Sequence, residues 1–488
     1  MTTAHAINPT AAVAELDQLA RAAETLVTRW FREAAAAETR PHASAQRLAA
    51  MLSDPRGLDF TVGFVDRVIG TEDTRAAAEA LSEIAADIPA TLGRLDRAQI
   101  AAGGALAEKL PNVVIPTARA RMRAMVGHMI VDARDRQFSK AVAKLRESGH
   151  RLNINPLGEA VLGDGEADNH LADARALLRR DDVDYVSIKV SSVASQISMW
   201  AFDETVQYVL DRLTPMYLEA AAAPAGTKFI NLDMEEYRDL ELTIEVFTRL
   251  LSLPELKHFE AGIVLQAYLP DALGAMQRLA TFAEHRVADG GAGIKVRLVK
   301  GANLAMETVH AEVAGWPKVT CSSKTATDAN YKLVLHWLLD RENMRGLRVG
   351  VAGHNLFDIA FAHLLSQSRG VSDRVEFEML QGMATEQAEV LSADVGRLLL
   401  YVPTVKPKEF DVAISYLVRR LEENAASENF MSGIFELAPG SAMYRREAGR
   451  FRDAVNELAR ILTADGHEAP RPNDHQNRAL EADRTGFD

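Results

Sequence analysis

The sequence predicts an α/β protein, a (β/α)8 TIM-like barrel preceded by an all-helical N-terminal region. From about residue 150, eight short apolar runs alternate with amphipathic helical patterns, whereas residues 9–150 carry helical patterns alone. The length of 488 residues suits one barrel with an appended domain. We therefore divide the chain into an N-terminal helical arm (1–52), a helical domain (53–150), a barrel (151–440) and a C-terminal helix with a polar tail (441–488).

The N-terminal region is predicted to be helical because apolar residues recur at helical spacing through 11–37, 58–70, 74–88 and 120–145. We expect breaks at "DPRG" (54–57) and "LPNVVIP" (110–116), where proline and glycine interrupt the pattern. Residues 1–50 contain five Arg, no Lys and five acidic residues. That balance argues against a basic DNA-binding arm and favours a scaffold or oligomerisation role.

Eight apolar runs bounded by turn residues predict the strands of the barrel. Pro156 interrupts the first run, which makes it the weakest of the eight. An open doubly wound sheet is the alternative, but it normally brings a Gly-rich dinucleotide turn, and the sequence contains no G-x-G-x-x-G. The predicted strands are 153–161, 185–190, 228–234, 262–268, 293–301, 348–354, 375–380 and 397–402.

Composition excludes several classes of protein. The net charge is −13, from 55 basic and 68 acidic residues, which disfavours nucleic acid as a partner. A single cysteine, Cys321, rules out an intrachain disulfide and fits a cytoplasmic location. No apolar run reaches transmembrane length, so we expect no span, while peripheral contact with the inner face of the cell membrane stays open.

Polar residues stand at the C-terminal ends of most predicted strands. Active sites of (β/α)8 barrels lie at this end of the strands. Polar groups buried without partners cost several kcal/mol each, so their recurrence predicts one shared site at the mouth of the barrel. The residues are Glu159, Lys189, Asp233, Gln266, Arg297, Lys300, His354 and Tyr401.

Two further stretches indicate anion binding. In "RLVKGAN" (297–303), Gly301 lets the backbone approach a ligand, Lys300 adds a positive charge, and a helix N-terminus follows, which suits a phosphate. In "ISYLVRRLEEN" (414–424), Tyr416, Arg419 and Arg420 share the polar face of a helix that begins just after the last strand. Two adjacent arginines suit an anion bound at the same mouth.

These stretches, read with "INLDMEE", "VLQAY", "GHN" and "YLVRR" in this order, carry a family resemblance. The chain from about 150 to 435 resembles the proline dehydrogenase family, in particular the flavin domain of the bifunctional proline-utilisation enzymes. The resemblance implies a distorted barrel that holds FAD noncovalently. It also implies oxidation of L-proline to Δ1-pyrroline-5-carboxylate, which opens to glutamate semialdehyde, by hydride transfer to flavin N5, with quinone as the electron acceptor.

The resemblance also assigns roles to residues by motif. It implies that Arg419, Arg420 and Lys189 bind the proline carboxylate, and that Glu159 helps to order the arginines. Direct catalytic roles fall on Arg297, Lys189 and Asp233. The rest of the substrate pocket is implied to consist of Tyr401, Tyr416 and Leu380.

For the flavin, the resemblance places Arg297 near N5 and Gln266 near the pyrimidine edge. Three departures from the family pattern, Met234, Asn303 and Gly353, bear on the shape of the pocket. No metal site is implied. The full set of implied FAD contacts is Asp233, Val264, Gln266, Arg297, Val299, Lys300, Gly301, Ala302, Ser322, Lys324, Thr327, Ala352, His354, Asn355, Glu423 and Phe430.

Bifunctional relatives carry a second, aldehyde dehydrogenase domain that needs a nucleophilic cysteine. We expect this domain to be missing, because the one cysteine, Cys321, lies inside the barrel region and only a polar tail follows the barrel. Homo-oligomer formation stays open. Two alternatives remain, a Schiff-base aldolase using Lys189 or Lys300, and a non-enzymatic scaffold or regulator.

Overall fold

The computed structural model describes residues 9–36, 55–127, 129–158, 161–383, 385–406, 409–410, 413–414, 429–433, 437–463 and 473. Within them, nine parallel strands form one sheet. The strands are β1 (Val131–Asp132), β2 (Arg151–Pro156), β3 (Tyr185–Lys189), β4 (Phe229–Asp233), β5 (Gly262–Gln266), β6 (Ile294–Val299), β7 (Leu347–Ala352), β8 (Val375–Leu380) and β9 (Leu399–Val405).

Strands β2 to β9 close into an eight-stranded parallel barrel, as predicted. Each strand pairs with the next along the chain, and β9 pairs with both β8 and β2. The short β1 pairs with the end of β9 at Thr404 and Val405, beyond the point where β8 stops. The first predicted strand is too long at its C-terminal end, because β2 ends at the proline that interrupts its pattern, Pro156.

Helices alternate with the barrel strands and cover them. The buried faces of the helices pack against the strands and form one hydrophobic core with them. None of the helices in the described ranges is long and apolar enough to cross a membrane. The helices after β2 are Asp164–Leu178, Val190–Val193, Phe202–Ala221, Leu240–Leu251, Ala272–Ala288, Leu304–Ala314, Lys324–Leu338, Leu356–Ser368, Thr385–Val395 and Ala442–Thr463.

The N-terminal region is helical as predicted, with two local corrections. The predicted break at 110–116 is placed too late, because the helix Arg94–Ala107 ends before it and the next helix continues through Pro116 to Val126. That helix has Pro111 in its first turn. Proline is tolerated there since the first turn leaves its N–H groups unbonded. The pattern over 120–145 is not all helix, since β1 interrupts it. The helices before β2 are Pro9–Ala36, Pro55–Phe64, Thr74–Ile84, Arg94–Ala107, Pro111–Val126 and Asp135–Arg146.

The first helix, Pro9–Ala36, packs on the outside of the barrel. Its buried side chains, Trp30 among them, join the barrel core, whereas the helices between 55 and 126 build a smaller core of their own. Thr28 Oγ1 lies 2.7 Å from the hydroxyl oxygen of Tyr444 on the last helix. The last helix is therefore buried in part along this contact, since Tyr444 meets the first helix and Glu447 is buried.

Truncation of Trp30 tests this packing. Trp30 is 2% exposed and its Nε1 donates to Asp394. We expect Trp30→Ala to lower the free energy of unfolding by about 3–5 kcal/mol, since it removes a large buried side chain. Urea unfolding followed by circular dichroism measures the loss. Val13→Ala on the same helix, at a side chain 41% exposed, is the control and should change stability by less than about 0.5 kcal/mol. Equal losses in the two variants would contradict the packing.

Candidate active site

Three predicted site residues form one hydrogen-bonded group across the barrel. Tyr401 does not end its strand as predicted, since it is the third residue of β9, beside Leu380 at the end of β8. Asp233 closes β4, Arg297 lies near the end of β6, and Tyr401 lies on β9. Arg297 Nη1 donates to Asp233 Oδ1 at 3.1 Å, and the Tyr401 hydroxyl donates to Asp233 Oδ2 at 3.0 Å. The Arg297 guanidinium also lies 5.3 Å from the centre of the Tyr401 ring. The structure therefore brings these three residues together across the barrel.

Arg297 is held by a second carboxylate that sequence reasoning missed. Its Nε donates to Glu378 Oε2 of β8 at 2.5 Å, and both side chains are nearly fully buried. Burial lowers the pKa of Arg297, but Glu378 and the other nearby acidic groups raise it more, so its pKa lies above the ordinary value. The remaining nitrogen, Nη2, is buried without a hydrogen-bond partner among the described residues. A buried donor of this kind suits a ligand acceptor.

Lys189, at the end of β3, is paired with Glu235, which sequence reasoning also missed. Lys189 Nζ donates to Glu235 Oε1 at 2.6 Å. The Glu235 backbone carbonyl accepts from Gln266 Nε2 and from Asn303 Nδ2, each at 2.8 Å. The departure from the family pattern at Asn303 therefore has a structural role, because this amide fixes the segment that carries Glu235. Gln266 Oε1 is buried and finds no partner within the described part of the chain.

A cluster of charges surrounds Lys300, just beyond β6. Lys300 Nζ lies 2.5 Å from Asp328 Oδ1 and 2.5 Å from Asp358 Oδ2. Lys324 pairs with the same oxygen of Asp328, and Lys332 pairs with Asp358, each at 2.5 Å. In the described part of the chain, three ammonium groups thus meet two carboxylates. One positive charge is left in excess, which suits an anion.

Lysine pKa values differ within this cluster, for identifiable reasons. Burial lowers the pKa of Lys300, but Asp328 and Asp358 raise it further, so that it lies above the ordinary value. For Lys324, burial and the neighbouring Lys300 lower the pKa to about 8, despite the opposing effect of Asp328. Lys324 is the group in this cluster that changes charge near neutral pH.

Gly301 and His354 shape the backbone next to this cluster. Gly301 has a φ of +130°, and a Cβ atom there would lie 2.4 Å from the Tyr268 ring, so only glycine fits. His354 Nε2 accepts from the Leu380 backbone N–H at 3.1 Å, which ties the end of β7 to the end of β8. The Asn355 side chain caps the following helix through the N–H groups of Phe357 and Asp358. Asn355 thus orients the helix that carries Asp358.

The remaining predicted contacts lie around the same mouth or outside the described residues. Val264 and Phe430 are buried, and Phe430 packs edge-on against Phe357 at 6.4 Å between ring centres. Ser322 is exposed, whereas its neighbour Ser323 caps the helix Lys324–Leu338. The half-buried positions are Val299, Ala302, Thr327, Ala352 and Leu380. Those outside the described residues are Glu159, Tyr416, Arg419, Arg420 and Glu423.

The chain is similar to known proteins over most of the barrel. The family model described as Proline dehydrogenase matches residues 138–433, more than half of the chain. The bifunctional protein PutA of Escherichia coli K12 is 28% identical over 314 residues, which cover 60% of this chain and 22% of that protein. The chain thus spans about a fifth of the length of that relative.

Two further comparisons agree. A proline dehydrogenase of Deinococcus radiodurans is 27% identical over 298 residues, covering 60% of this chain and 84% of that protein. The solved structure of proline utilization A from Corynebacterium freiburgense is 41% identical, with a TM-score of 0.66, over 82% of this chain and 39% of that chain. Together with the closed parallel barrel, the extent of the family match shows that this chain belongs to the proline dehydrogenase family.

Proposed function

We propose that this chain oxidises L-proline to Δ1-pyrroline-5-carboxylate with a noncovalently bound FAD and passes the electrons to quinone. Family membership supports the proline chemistry. The single observation that carries the proposal is the Asp233–Arg297–Tyr401 group, in which Asp233 and Arg297 are buried and which lies at the mouth of the barrel near a cluster with excess positive charge. One end of this arrangement suits a polar ring system, and the other suits a diphosphate.

The residues present fit FAD. A flavin ring offers hydrogen-bond acceptors and a donor along one edge, and Arg297 Nη2 and Gln266 Oε1 are a buried donor and a buried acceptor without partners in the described ranges. Lys300 and Lys324, which are partly exposed, would hold the diphosphate, while the buried Lys332 offsets the charge of Asp358. These contacts need no covalent link.

The substrate would lie between the ring and the group around Asp233. We assign Arg419 and Arg420 to the proline carboxylate by family motif. Lys189 would share that carboxylate, with its ammonium oriented by Glu235. Leu380 and Tyr401 would contact the pyrrolidine ring.

When bound, FAD supplies the electron acceptor at N5 for the hydride that leaves proline C5. The N–H proton leaves for solvent, so the substrate loses two electrons and two hydrogens and becomes an imine. The protein orients the substrate and excludes water. Arg297, kept charged by Glu378 and Asp233, places a positive charge beside the ring. Hydride leaves more readily from the neutral amine, so the rate rises at alkaline pH.

The aldolase alternative is disfavoured by the lysines themselves. A Schiff-base lysine must be neutral to attack a carbonyl. Lys300 is paired with two carboxylates that keep its pKa above the ordinary value, and Lys189 is paired with Glu235. The non-enzymatic scaffold alternative does not account for the buried polar groups at the mouth of the barrel, which cost free energy to bury. We also propose a cytoplasmic location, with peripheral membrane contact that gives access to quinone. We propose no nucleic-acid partner. Homo-oligomer formation stays open.

Reduction by substrate tests the proposal directly. The purified protein, reconstituted with FAD, should show a flavin spectrum that bleaches on anaerobic addition of L-proline, and o-aminobenzaldehyde should trap the imine product. D-proline is the matched control and should bleach the spectrum far more slowly. A protein that binds FAD but is not bleached by L-proline would refute the substrate, and one that binds no FAD would refute the cofactor.

Removal of one clamp arginine separates substrate binding from cofactor binding. We expect Arg420→Met to raise the KM for proline about 10- to 100-fold, because a charge-assisted hydrogen bond to a carboxylate contributes about 1.5–3 kcal/mol. The FAD content should not change. Arg445→Met, at an exposed arginine of the last helix, is the control and should leave KM unchanged. A loss of FAD content with an unchanged KM for proline would assign Arg420 to cofactor binding and not to substrate binding.

The lowered pKa of Lys324 predicts how FAD affinity depends on pH. Below pH 8 its ammonium is charged with or without the anion, so the Kd for FAD should be constant. Above pH 8 the free protein loses this proton, and diphosphate binding must restore it. The Kd should then rise by up to about tenfold per pH unit. Fluorescence titration of the apoprotein with FAD from pH 6.5 to 9.5 measures this.

Two variants test whether Lys324 is the source of the pH dependence of FAD affinity. Lys324→Arg should keep the affinity and remove the pH dependence, because a guanidinium stays charged throughout. Lys318→Arg, at an exposed lysine, should keep the pH profile of the parent protein. A flat profile in the parent protein would exclude Lys324 from the diphosphate site.

A further inference from the structure

The barrel core contains a line of alternating charges that the predicted site does not include. Lys295 and Arg297 are two residues apart on β6, so both side chains point to the same face. Glu376 and Glu378 stand in the same relation on β8. Lys295 Nζ pairs with Glu376 and lies 2.6 Å from Glu378 Oε1, in an ion pair without hydrogen-bond alignment. Arg151 of β2 pairs with the other oxygen of Glu376 at 2.7 Å.

Gly350 makes this line of charges possible. β7 lies between β6 and β8, and Gly350 pairs with Arg297 on one side and with Glu376 on the other. A Cβ atom at this position would lie 2.0 Å from Glu378 Oε1 and 3.0 Å from Lys295 Cε. The missing side chain therefore leaves the space in which the charges of β6 and β8 meet.

Glu378 occupies the central position. One oxygen accepts from Arg297 Nε and the other contacts Lys295, so its carboxylate plane is fixed from both sides. Arg297 in turn is held at Nε by Glu378 and at Nη1 by Asp233. Because a guanidinium is planar, two fixed nitrogens fix the third. Glu378 thereby sets the direction of the unbonded Nη2 described above.

We propose that Glu378 is a positioning residue for Arg297, and that it sets both the orientation and the effective charge of Arg297 beside the reacting ring. The inference rests on the proposed function, because that ring is the flavin. Three cations (Arg151, Lys295, Arg297) face three anions (Glu376, Glu378, Asp233) in the described part of the barrel core. Loss of the Glu378 charge leaves one positive charge in excess at Arg297.

Glu378→Gln and Glu376→Gln form a matched pair. Each removes one buried carboxylate of the same line, and only Glu378 contacts Arg297. We expect Glu378→Gln to raise the midpoint potential of the bound flavin, because added positive charge stabilises the form with more electrons. Glu376→Gln should raise it clearly less. kcat for proline should fall about tenfold or more in Glu378→Gln, with little change in KM, because the misplaced group acts on the reacting ring.

Gly350→Ala tests the position of the Glu378 carboxylate separately from its charge. It keeps every ionisable group but pushes the Glu378 carboxylate away from its contacts. It should lower kcat like Glu378→Gln, without the same rise in potential. Potentials are measured by equilibration with a reference dye under xanthine and xanthine oxidase. Equal shifts in potential for the two Glu variants, or unchanged kcat in Glu378→Gln, would overturn the proposal.

A double-mutant cycle tests the pairing of Arg297 with Glu378 without bound flavin. The free energy of unfolding of the apoprotein is measured for Arg297→Met combined with each Glu→Gln variant. We expect a coupling between positions 297 and 378 that is clearly larger than between 297 and 376. If the parent protein fails to bind FAD, the proposed function fails while this cycle still tests the pairing. A coupling no larger at 378 than at 376 would overturn it.

Discussion

The pairing of buried charges inside the barrel is the constraint on which the site depends. Lys295, Arg297 and Glu378 are 1%, 4% and 2% exposed, and isolated charges at such positions would cost several kcal/mol each. Each is tolerated because its neighbours have the opposite sign. The register of β6, β7 and β8 brings these neighbours together, so a shift of one residue in any of these strands would separate them. The pairing of these charges therefore depends on the strand register of the barrel, and the barrel interior tolerates the charges only because they are paired.

Two groups of charges, one in the barrel core and one at the mouth, differ in their balance of sign. The line through Glu378 is balanced in sign, so it holds its members in place and does not attract an ion. The group around Lys300 is short of one negative charge, so it gains by binding an anion. Under the proposed function, the first arrangement would fix the geometry beside the flavin ring, and the second would hold the diphosphate of FAD. β6 supplies residues to both, which joins orientation and retention in one rigid element.

Much of the fold was readable from the sequence because strand and helix signals are local. The eight strands, Asp233, Arg297 and Tyr401 followed from period, position and motif. Glu235, Glu378 and Asp358 did not, because each partners a cation more than 20 residues away in the chain. Asp328 had a local signal, since Lys324 lies four residues before it on the same helix. A signal did exist for Glu378, since "IKVRLV" and "VEFEML" alternate charges of opposite sign with apolar residues in central strands. The break predicted at 110–116 lies too late, because Pro111 is tolerated in the first turn of a helix and this helix also continues through Pro116, an interior proline that removes one hydrogen bond.

The contact between the first and last helices bears on the order in which the chain is made. A ribosome releases Pro9–Ala36 long before Ala442–Thr463, and β2 long before its partner β9. During that interval Leu16, Val27 and Trp30 have no completed surface to cover them. The first helix can therefore complete its packing only after the helix Ala442–Thr463 has been made. This docking joins segments far apart in the sequence, and contacts of such separation are slow to form during folding.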